Sequence, residues 1–569
     1  MESTGPGAAA RGRRLRCIRP LWVGLAATFP LIVVATPVAA VQVFYLDFDT
    51  LAGPLPHDYT PEQRDAIAAA MGELYAPLGV QVTHEPPGAG VFASTIFFNA
   101  VAAGTSDGID FRNVSKTDSA RLNARQMLEI VGIEAGDQTP EQIVRASINT
   151  AMHESLHLLG ARHQDAFTLP GGGVSTQGIA ERYWPTYPGP RQAAFTASTF
   201  MSLSHGAFGL SEQKLLNDEL FISPRSALKA LVGEAVSPAS QLPGINSPFT
   251  AQHLPTTSFA LPNTMPDLPL PPELAPFLPE GISPEAITAR QLQLGAEVAI
   301  VAGTITQAEI DDVDISPSHY YAVPIIPGMP YTIESFSEVL DHRTGFTPFD
   351  SALSVIVADS DSPSGLSLHP YYGTLGFDGF NRDSFEGFDP AMVDVIAPGA
   401  PHAIMIEDQP HMLVEVWAQA GFGQQPAPGD YEMIIYTISI TGIDLLLGDM
   451  NVDGVVDTGD VAPFVLALTD EQAYIDQYGL DPALVGDINQ DGSFDTGDVA
   501  PFVQLLIGGD SQSVPEPCSL ALLGLGGLLL LRRGPRGARF WENGGDRRGR
   551  CQWRQVPTWA YGGGRTSCT

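Results

Sequence analysis

The chain has 569 residues, too many for one hydrophobic core, and its 29 basic against 64 acidic side chains leave a formal net charge of −35. Five of the basic residues lie in residues 1–40 and nine follow residue 531, so the stretch between them is more acidic still, near −45. That surface excludes nucleic acid as a partner and suits an extracellular setting with bound calcium.

Residues 11–40, RGRRLRCIRPLWVGLAATFPLIVVATPVAA, have an arginine-rich start, an apolar middle and a small-residue end. This is the pattern of a secretory signal peptide, residues 1–40, with cleavage after Ala40. A retained anchor is the alternative, against which Pro20, Pro30 and Pro37 interrupt the apolar run. The four cysteines, Cys17, Cys518, Cys551 and Cys568, all lie outside 41–517. The exported body therefore has no disulfide and no thiol to serve as nucleophile or metal ligand. VQVFYLDFD (41–49) alternates like a strand directly after the cleavage point, so neither a propeptide nor cysteine-based latency is expected.

TPEQRDAIAAAMGELYAPLG (60–79) reads as a helix capped by Thr60 and opened by Pro61, with Met71 and Leu74 in the core. VQVTHE (80–85) and STIFFNA (94–100) read as further strands, and Asn113, in the glycosylation pattern NVS, as loop. A second helix is expected over 140–159, with Thr139 as N-cap, Pro140 at the first position and Glu141 in the first turn. His153 and His157, four residues apart, project from one face about one turn apart, so both imidazoles can meet one ion. Glu154 sits beside them, placed to hold a water. Gly160 can take the left-handed conformation that ends the helix and lets His163 return as third ligand. Three neutral imidazoles with a fourth position open describe a catalytic zinc site, in which the metal acidifies a water and Glu154 carries its proton to the leaving amine. The alternative is a helix with incidental histidines, against which five positions agree at once.

HESLHLLGARH (153–163) resembles the long zinc signature of the metzincin peptidases, HExxHxxGxxH. The resemblance implies an α+β zinc peptidase domain over 41–233, closed by a helix in LSEQKLLNDELF (210–221). It also implies that Met201, in TASTFMSLSHG, floors the site without binding the metal. Leu203 stands where some branches carry a tyrosine ligand, so none is carried over, and His205 reads as a surface residue.

Residues 234–294 hold twelve prolines between 238 and 284 and read as a semi-rigid spacer, with wrapping around the first domain as the alternative. Residues 295–442 carry strand patterns such as HYYAVPIIPGMPYTIESFS and GDYEMIIYTISI, which indicate a β-sandwich. With DVDISPSHYYAV and DSALSVIVADSDS, this region resembles the pre-peptidase C-terminal type domain of secreted bacterial peptidases.

GDMNVDGVVDTGDVAPFV (448–465) recurs 38 residues later as GDINQDGSFDTGDVAPFV (486–503). Oxygen donors fall at loop positions 1, 3, 5, 9 and 12, with glycine at 6 and a backbone carbonyl at 7, the logic of an EF-hand loop. In the first copy these are Asp449, Asn451, Asp453, Gly454, Val455, Asp457 and Asp460; in the second, Asp487, Asn489, Asp491, Gly492, Ser493, Asp495 and Asp498. The pair, residues 445–510, resembles a type I dockerin. That implies a small all-α calcium-binding domain that docks on a cohesin module; a calcium-stiffened spacer is the alternative. SVPEPCSLALLGLGGLLLLRR (513–533) resembles the PEP-CTERM sorting signal, which implies an exosortase-type processing enzyme and membrane contact only through this segment. The basic tail 534–569 shows no core pattern.

The sequence thus describes a multidomain chain: an α+β metzincin-like zinc peptidase domain, a β-sandwich and an all-α dockerin-like domain. The expected activity is that of an exported or cell-surface endopeptidase acting on protein or peptide substrates with Zn2+ and Ca2+. The alternative is a catalytically silent surface scaffold that keeps the metal for structure.

Overall fold

The computed structural model describes residues 42–88, 90–166, 198–203, 210–270, 272–279, 281–312, 317–337, 351–368, 374–375, 391–399, 402–418 and 426–507. The expected signal segment, His205, the expected sorting signal, the basic tail and all four cysteines lie outside these residues. Among the described residues the chain is of mixed α/β type with several sheets, and no helix is long and apolar enough to cross a membrane.

The N-terminal sheet contains β1 (Val43–Asp47), β2 (Gln81–Thr83), β3 (Ser94–Phe97), β4 (Gly104–Ser106) and β5 (Ser119–Leu122) in the order β2-β1-β3-β5-β4. All pairings are parallel except that of β4, which runs antiparallel along one edge. A parallel neighbour needs a crossover, and α1 (Pro61–Tyr75) supplies the one between β1 and β2. Thr60 and Gln63 form a reciprocal capping box at its start, and Gly79 (φ 69°) closes the 3-10 turn at its end. Helices α2 (Ala124–Ile130) and α3 (Pro140–His157) follow. Thr139 and Gln142 cap α3 in the same way, and nearly every residue from Ala146 onward is buried. Inside the core, Tyr59 and Tyr75 place their hydroxyls on Ser147 and Ser155 of α3, at 2.8 and 2.6 Å. Ser147 and Ser155 of this buried helix thereby have hydrogen-bond partners inside the core.

The helix expected over 210–221 is only the single turn α4 (Glu212–Leu215). Asn217 breaks it: its side-chain oxygen accepts the amide of Glu219, while Asn149 of α3 donates to the carbonyls of Leu215 and Asn217. The closing helix comes later, as α5 (Pro224–Ala235), started by the Ser223 cap and by Pro224 at its first position.

The remaining strands build two further sheets. One is ordered β13-β12-β17-β10-β7, from β7 (Gln252–His253), β10 (Ser318–Pro324), β12 (Ser351–Ala358), β13 (Leu366–Leu368) and β17 (Gln409–Ala418), with β14 (Thr374–Leu375) paired to β12 and β16 (Ile404–Ile406) to β17. The other is ordered β15-β11-β18-β9-β6, from β6 (Ala239–Ser240), β9 (Leu292–Ile305), β11 (Pro330–Phe336), β15 (Ala391–Ile396) and β18 (Gly429–Ile443). The two sheets share a core. The second is buried on both faces, and the alternation of its strands decides which residue goes where. From β9, Leu292, Leu294, Ala296, Val298 and Ile300 join the core of the α/β unit, while Ala299, Val301 and Ile305 face the other sheet. From β18, Ile434, Tyr436 and Ile438 face the α/β unit, and Tyr431, Met433 and Ile435 the other sheet. At about 1.5–3 kcal/mol per large apolar side chain, the contact with the α/β unit is worth on the order of 10 kcal/mol. The α/β unit and the sheets are therefore packed as one body rather than strung together.

The proline-rich stretch accordingly departs from a spacer. It adds β6 and β7 to the two sheets and β8 (Thr257–Leu261) alongside β9. Met265, Leu270 and Leu274 are buried, and the Asn263 amide donates to the carbonyls of Ala289, Arg290 and Leu292. Proline suits such edge segments, which need few amide donors, while the apolar residues between the prolines fill the core.

The repeated segment forms two matching halves, each a loop, a 3-10 turn and a helix, Val461–Thr469 in one and Val499–Ile507 in the other. Phe464 and Phe502, equivalent across the repeat, stack with centroids 4.1 Å apart and planes at 2°. The segment is joined to the preceding chain by the bridge Ile282–Leu480 and by the Ser283 amide donating to the Gly479 carbonyl.

Candidate metal centre

Helix α3 supplies His153, Glu154 and His157. The chain then reverses at Gly160, whose φ of 87° is the left-handed conformation the motif requires. A Cβ at Gly160 would lie 2.9 Å from the Cα of Phe111, so this turn has no room for a side chain. The reversal brings His163 back to the helix. The donor atoms of His153, His157 and His163 all lie within 4.8 Å of one another, and this is the one such histidine, cysteine or carboxylate group among the described residues.

Two of the three imidazoles are held from behind. His153 Nδ1 donates to the Phe200 carbonyl oxygen and His157 Nδ1 to that of Ala161, each at 2.9 Å. These bonds fix the tautomer that leaves each Nε2 lone pair turned inward. His163 Nε2 lies 3.2 Å from His153 Nε2. Two nitrogens bound tetrahedrally at about 2.0–2.1 Å to one ion stand about 3.3–3.4 Å apart, so the spacing fits an ion of zinc size. The donor set fits as well: three neutral nitrogens with no thiolate suit a borderline cation better than calcium or magnesium. The buried triad can hold a metal ion.

Glu154 is 4 % exposed and lies under the edge strand β4. A Cβ on Gly104 would stand 2.7 Å from Glu154 Oε1, so the bare backbone there leaves the carboxylate its space. Met201 is fully buried on the short turn Phe200–Ser202, whose Phe200 carbonyl holds His153.

The loop carrying His163 is tied down by charge. Arg162, Asp165, Lys229 of α5 and Glu334 of β11 are all essentially fully buried. Lys229 Nζ lies 2.5 Å from Glu334 Oε2 and 3.1 Å from Asp165 Oδ1; Arg162 Nη1 lies 3.5 Å from Glu334 Oε2. Asp165 Oδ2 also accepts the Arg162 amide at 2.8 Å, and the Tyr436 hydroxyl donates to Glu334 at 3.2 Å. Burial alone would raise the Glu334 carboxyl, but Lys229 and Arg162 beside it hold it below its ordinary value. Phe336, two residues on, stacks on Phe111 at 4.0 Å and lies under the Arg162 guanidinium at 4.7 Å. The Phe200 and Ala161 carbonyls are backbone atoms with no sequence signal. Arg162 and Asp165 flank His163 in ARHQD, but nothing in sequence joins them to Glu334.

In the repeated loops, position 6 is left-handed in both copies (Gly454 φ 90°, Gly492 φ 89°), as is position 4 (Val452, Gln490). Asp449 accepts the amides of Asp453 and Gly454, and Asp460 those of Asn451 and Asp457. Asp487 and Asp498 repeat the arrangement. Asp453 and Asp491 accept the amides at position 7, Val455 and Ser493. Burial pushes the Asp449 carboxyl up to about 6, against the Gly454 amide, and the neighbouring Asp460 and Asp453 add to the rise. These carboxylates do not converge as closely as the histidines do. Compared with protein-family models and with curated proteins, the chain matches none.

Proposed function

We propose that the chain is an exported zinc endopeptidase of metzincin type. The observation that carries the reading is the convergence of three imidazoles, two of them buttressed by backbone carbonyls, beside a buried glutamate. His153, His157 and His163 would hold zinc, and Met201 would floor the site. When bound, zinc supplies an acidified water and polarises the scissile carbonyl. Glu154, one residue from a ligand and kept clear by Gly104, would serve there as the general base that holds a water's proton and passes it to the leaving amine. A protein or peptide is the substrate.

In the same reading the two sheets are a pre-peptidase C-terminal type sandwich, and the repeated loops form a dockerin-like module. Ca2+ would occupy Asp449, Asn451, Asp453, Val455, Asp457 and Asp460, and the equivalent set from Asp487 to Asp498. The backbone already follows the loop turn in both copies, and the raised Asp449 carboxyl is what a neutralising cation would lower. A cohesin module and an exosortase-type enzyme are the proposed partners, and the cell surface or medium the proposed location.

A second reading rests on the depth of the site. With His157 and His163 at 0 and 1 % exposed, the ion would be structural and the chain a scaffold. Glu154→Gln separates the two. Proteolysis by the wild type, lost in the variant with zinc retained, supports the enzyme. No proteolysis by either, with zinc in both, supports the scaffold.

A further inference from the structure

We infer that Glu334, a residue of the sandwich sheet, positions the third metal ligand His163, so that the affinity and geometry of the metal centre depend on the second domain. The inference rests on the metal-site reading above and concerns what holds that site in shape.

His153 and His157 stand on α3, and the carbonyls of Phe200 and Ala161 orient their rings. His163 stands on a loop past a left-handed glycine, and a loop residue is held only by what its neighbours touch. Those neighbours are Arg162 and Asp165, both buried. Asp165 is fixed within the α/β unit: its carboxylate accepts the Arg162 amide, its carbonyl accepts the Ser223 hydroxyl, and Lys229 stands at its other oxygen. Lys229 and Arg162 then converge on one carboxylate, Glu334, from a strand remote in sequence. Strand alternation puts Thr332, Glu334 and Phe336 on the face of β11 toward this loop. Thr332 receives Arg225, one turn before Lys229 on α5, and Phe336 lies between Phe111 and Arg162. Arg162 also donates weakly to the Ser335 carbonyl at 3.4 Å.

Among the described residues of this cluster, removing Glu334 leaves the buried cations Arg162, Arg225 and Lys229 with Asp165 as the one buried carboxylate. A buried charge left without its partner is strongly destabilising. Arg162 stands on a loop and Lys229 and Arg225 on a helix, so a shift of Arg162 is the way to relieve it that carries the adjacent His163. Glu334 touches no ligand and no proposed reacting atom, so it is a positioning residue.

The test uses the full chain. Wild type, Glu334→Gln and Glu334→Asp are loaded with zinc or cobalt(II); affinity is read by chelator competition and ligand geometry by the visible cobalt spectrum. Glu334→Gln is expected to bind about 10- to 100-fold more weakly, the usual cost of losing a partner that orients a ligand, with an altered cobalt spectrum. Glu334→Asp keeps the charge and should fall between. Tyr321→Phe, in the core between the two sheets, perturbs the sandwich alone and should leave both readouts unchanged. Wild-type affinity and spectrum in folded Glu334→Gln would overturn the inference. If that variant does not fold, wild-type behaviour in Glu334→Asp overturns it instead. An equal loss in Tyr321→Phe would also overturn it, because general destabilisation would then explain the effect. A wild type that takes up no metal would sink the metal-site reading itself, which is a separate failure.

Discussion

His153 Nδ1 lies 2.9 Å from the carbonyl oxygen of Phe200, the residue immediately before Met201. The turn that carries the buried methionine therefore also orients the first histidine. The same device recurs at His157 with Ala161, so two of the three imidazoles have their tautomer set by backbone. Replacing His153 or His157 with alanine removes a donor from a three-nitrogen set. Zinc affinity is expected to fall by at least about 100-fold in either variant, measured by chelator competition.

Glu154→Gln keeps the shape of the side chain and removes its capacity to take a proton. Peptide cleavage is expected to fall by about 10²- to 10⁴-fold with zinc content unchanged. Parallel kinetics and metal analysis check both halves. Cleavage at the wild-type rate would remove Glu154 from the proposed role.

Gly160 is required twice, by its φ of 87° and by the 2.9 Å that a Cβ would leave to Phe111 Cα. Gly160→Ala is expected to cost about 2–3 kcal/mol, seen as a lowered thermal midpoint, and to weaken metal binding by moving His163.

Burial pushes the Asp118 carboxyl up to about 7; the Ser94 hydroxyl opposes the shift, and Asp110 and Asp107 add to it. Unfolded, the same group titrates near 3.8. Between these values the native chain keeps a proton that the unfolded chain has released, so this group's contribution to stability falls as pH rises from about 4 to 7 and is level above. Asp118→Asn should remove that fall. Relative to wild type the variant is expected to be equal near pH 4 and more stable by about 2–4 kcal/mol at pH 8. Denaturant midpoints across that range measure it; a constant difference would contradict the shift.

The duplicated loops give a further expectation. Calcium should raise the thermal midpoint of the full chain, and chelation should lower it. Asp460→Ala together with Asp498→Ala should abolish the response, since each removes the acceptor that closes its loop. Calorimetry with and without calcium decides it.

Much of the α/β unit was legible in sequence because its signals are local. Thr60–Pro61 and Thr139–Pro140 announce α1 and α3, the spacing of His153 and His157 needs only helical geometry, and Gly160 needs only its own backbone. The duplicated loops were legible because identical residues recur at one interval. What was not legible depends on contacts remote in sequence. The stretch 210–221 has helical composition, yet Asn149 captures its carbonyls and the helix forms at Pro224 instead. Proline content suggested a spacer over 234–294, whereas Met265, Leu270 and Leu274 are claimed by the core. The short strand β4 gave no periodicity to read, although Gly104 on it makes the space for Glu154. The charge cluster under His163 was invisible because its fourth member, Glu334, comes from another sheet.

The most direct test is to purify the full chain without added metal, determine bound metal by mass spectrometry, and expose the same preparation to a random peptide library. One zinc per chain is expected, with cleavage that a chelator abolishes and zinc restores. A chain that binds no metal at the histidine triad, or that cleaves equally well after the metal is stripped, would contradict it.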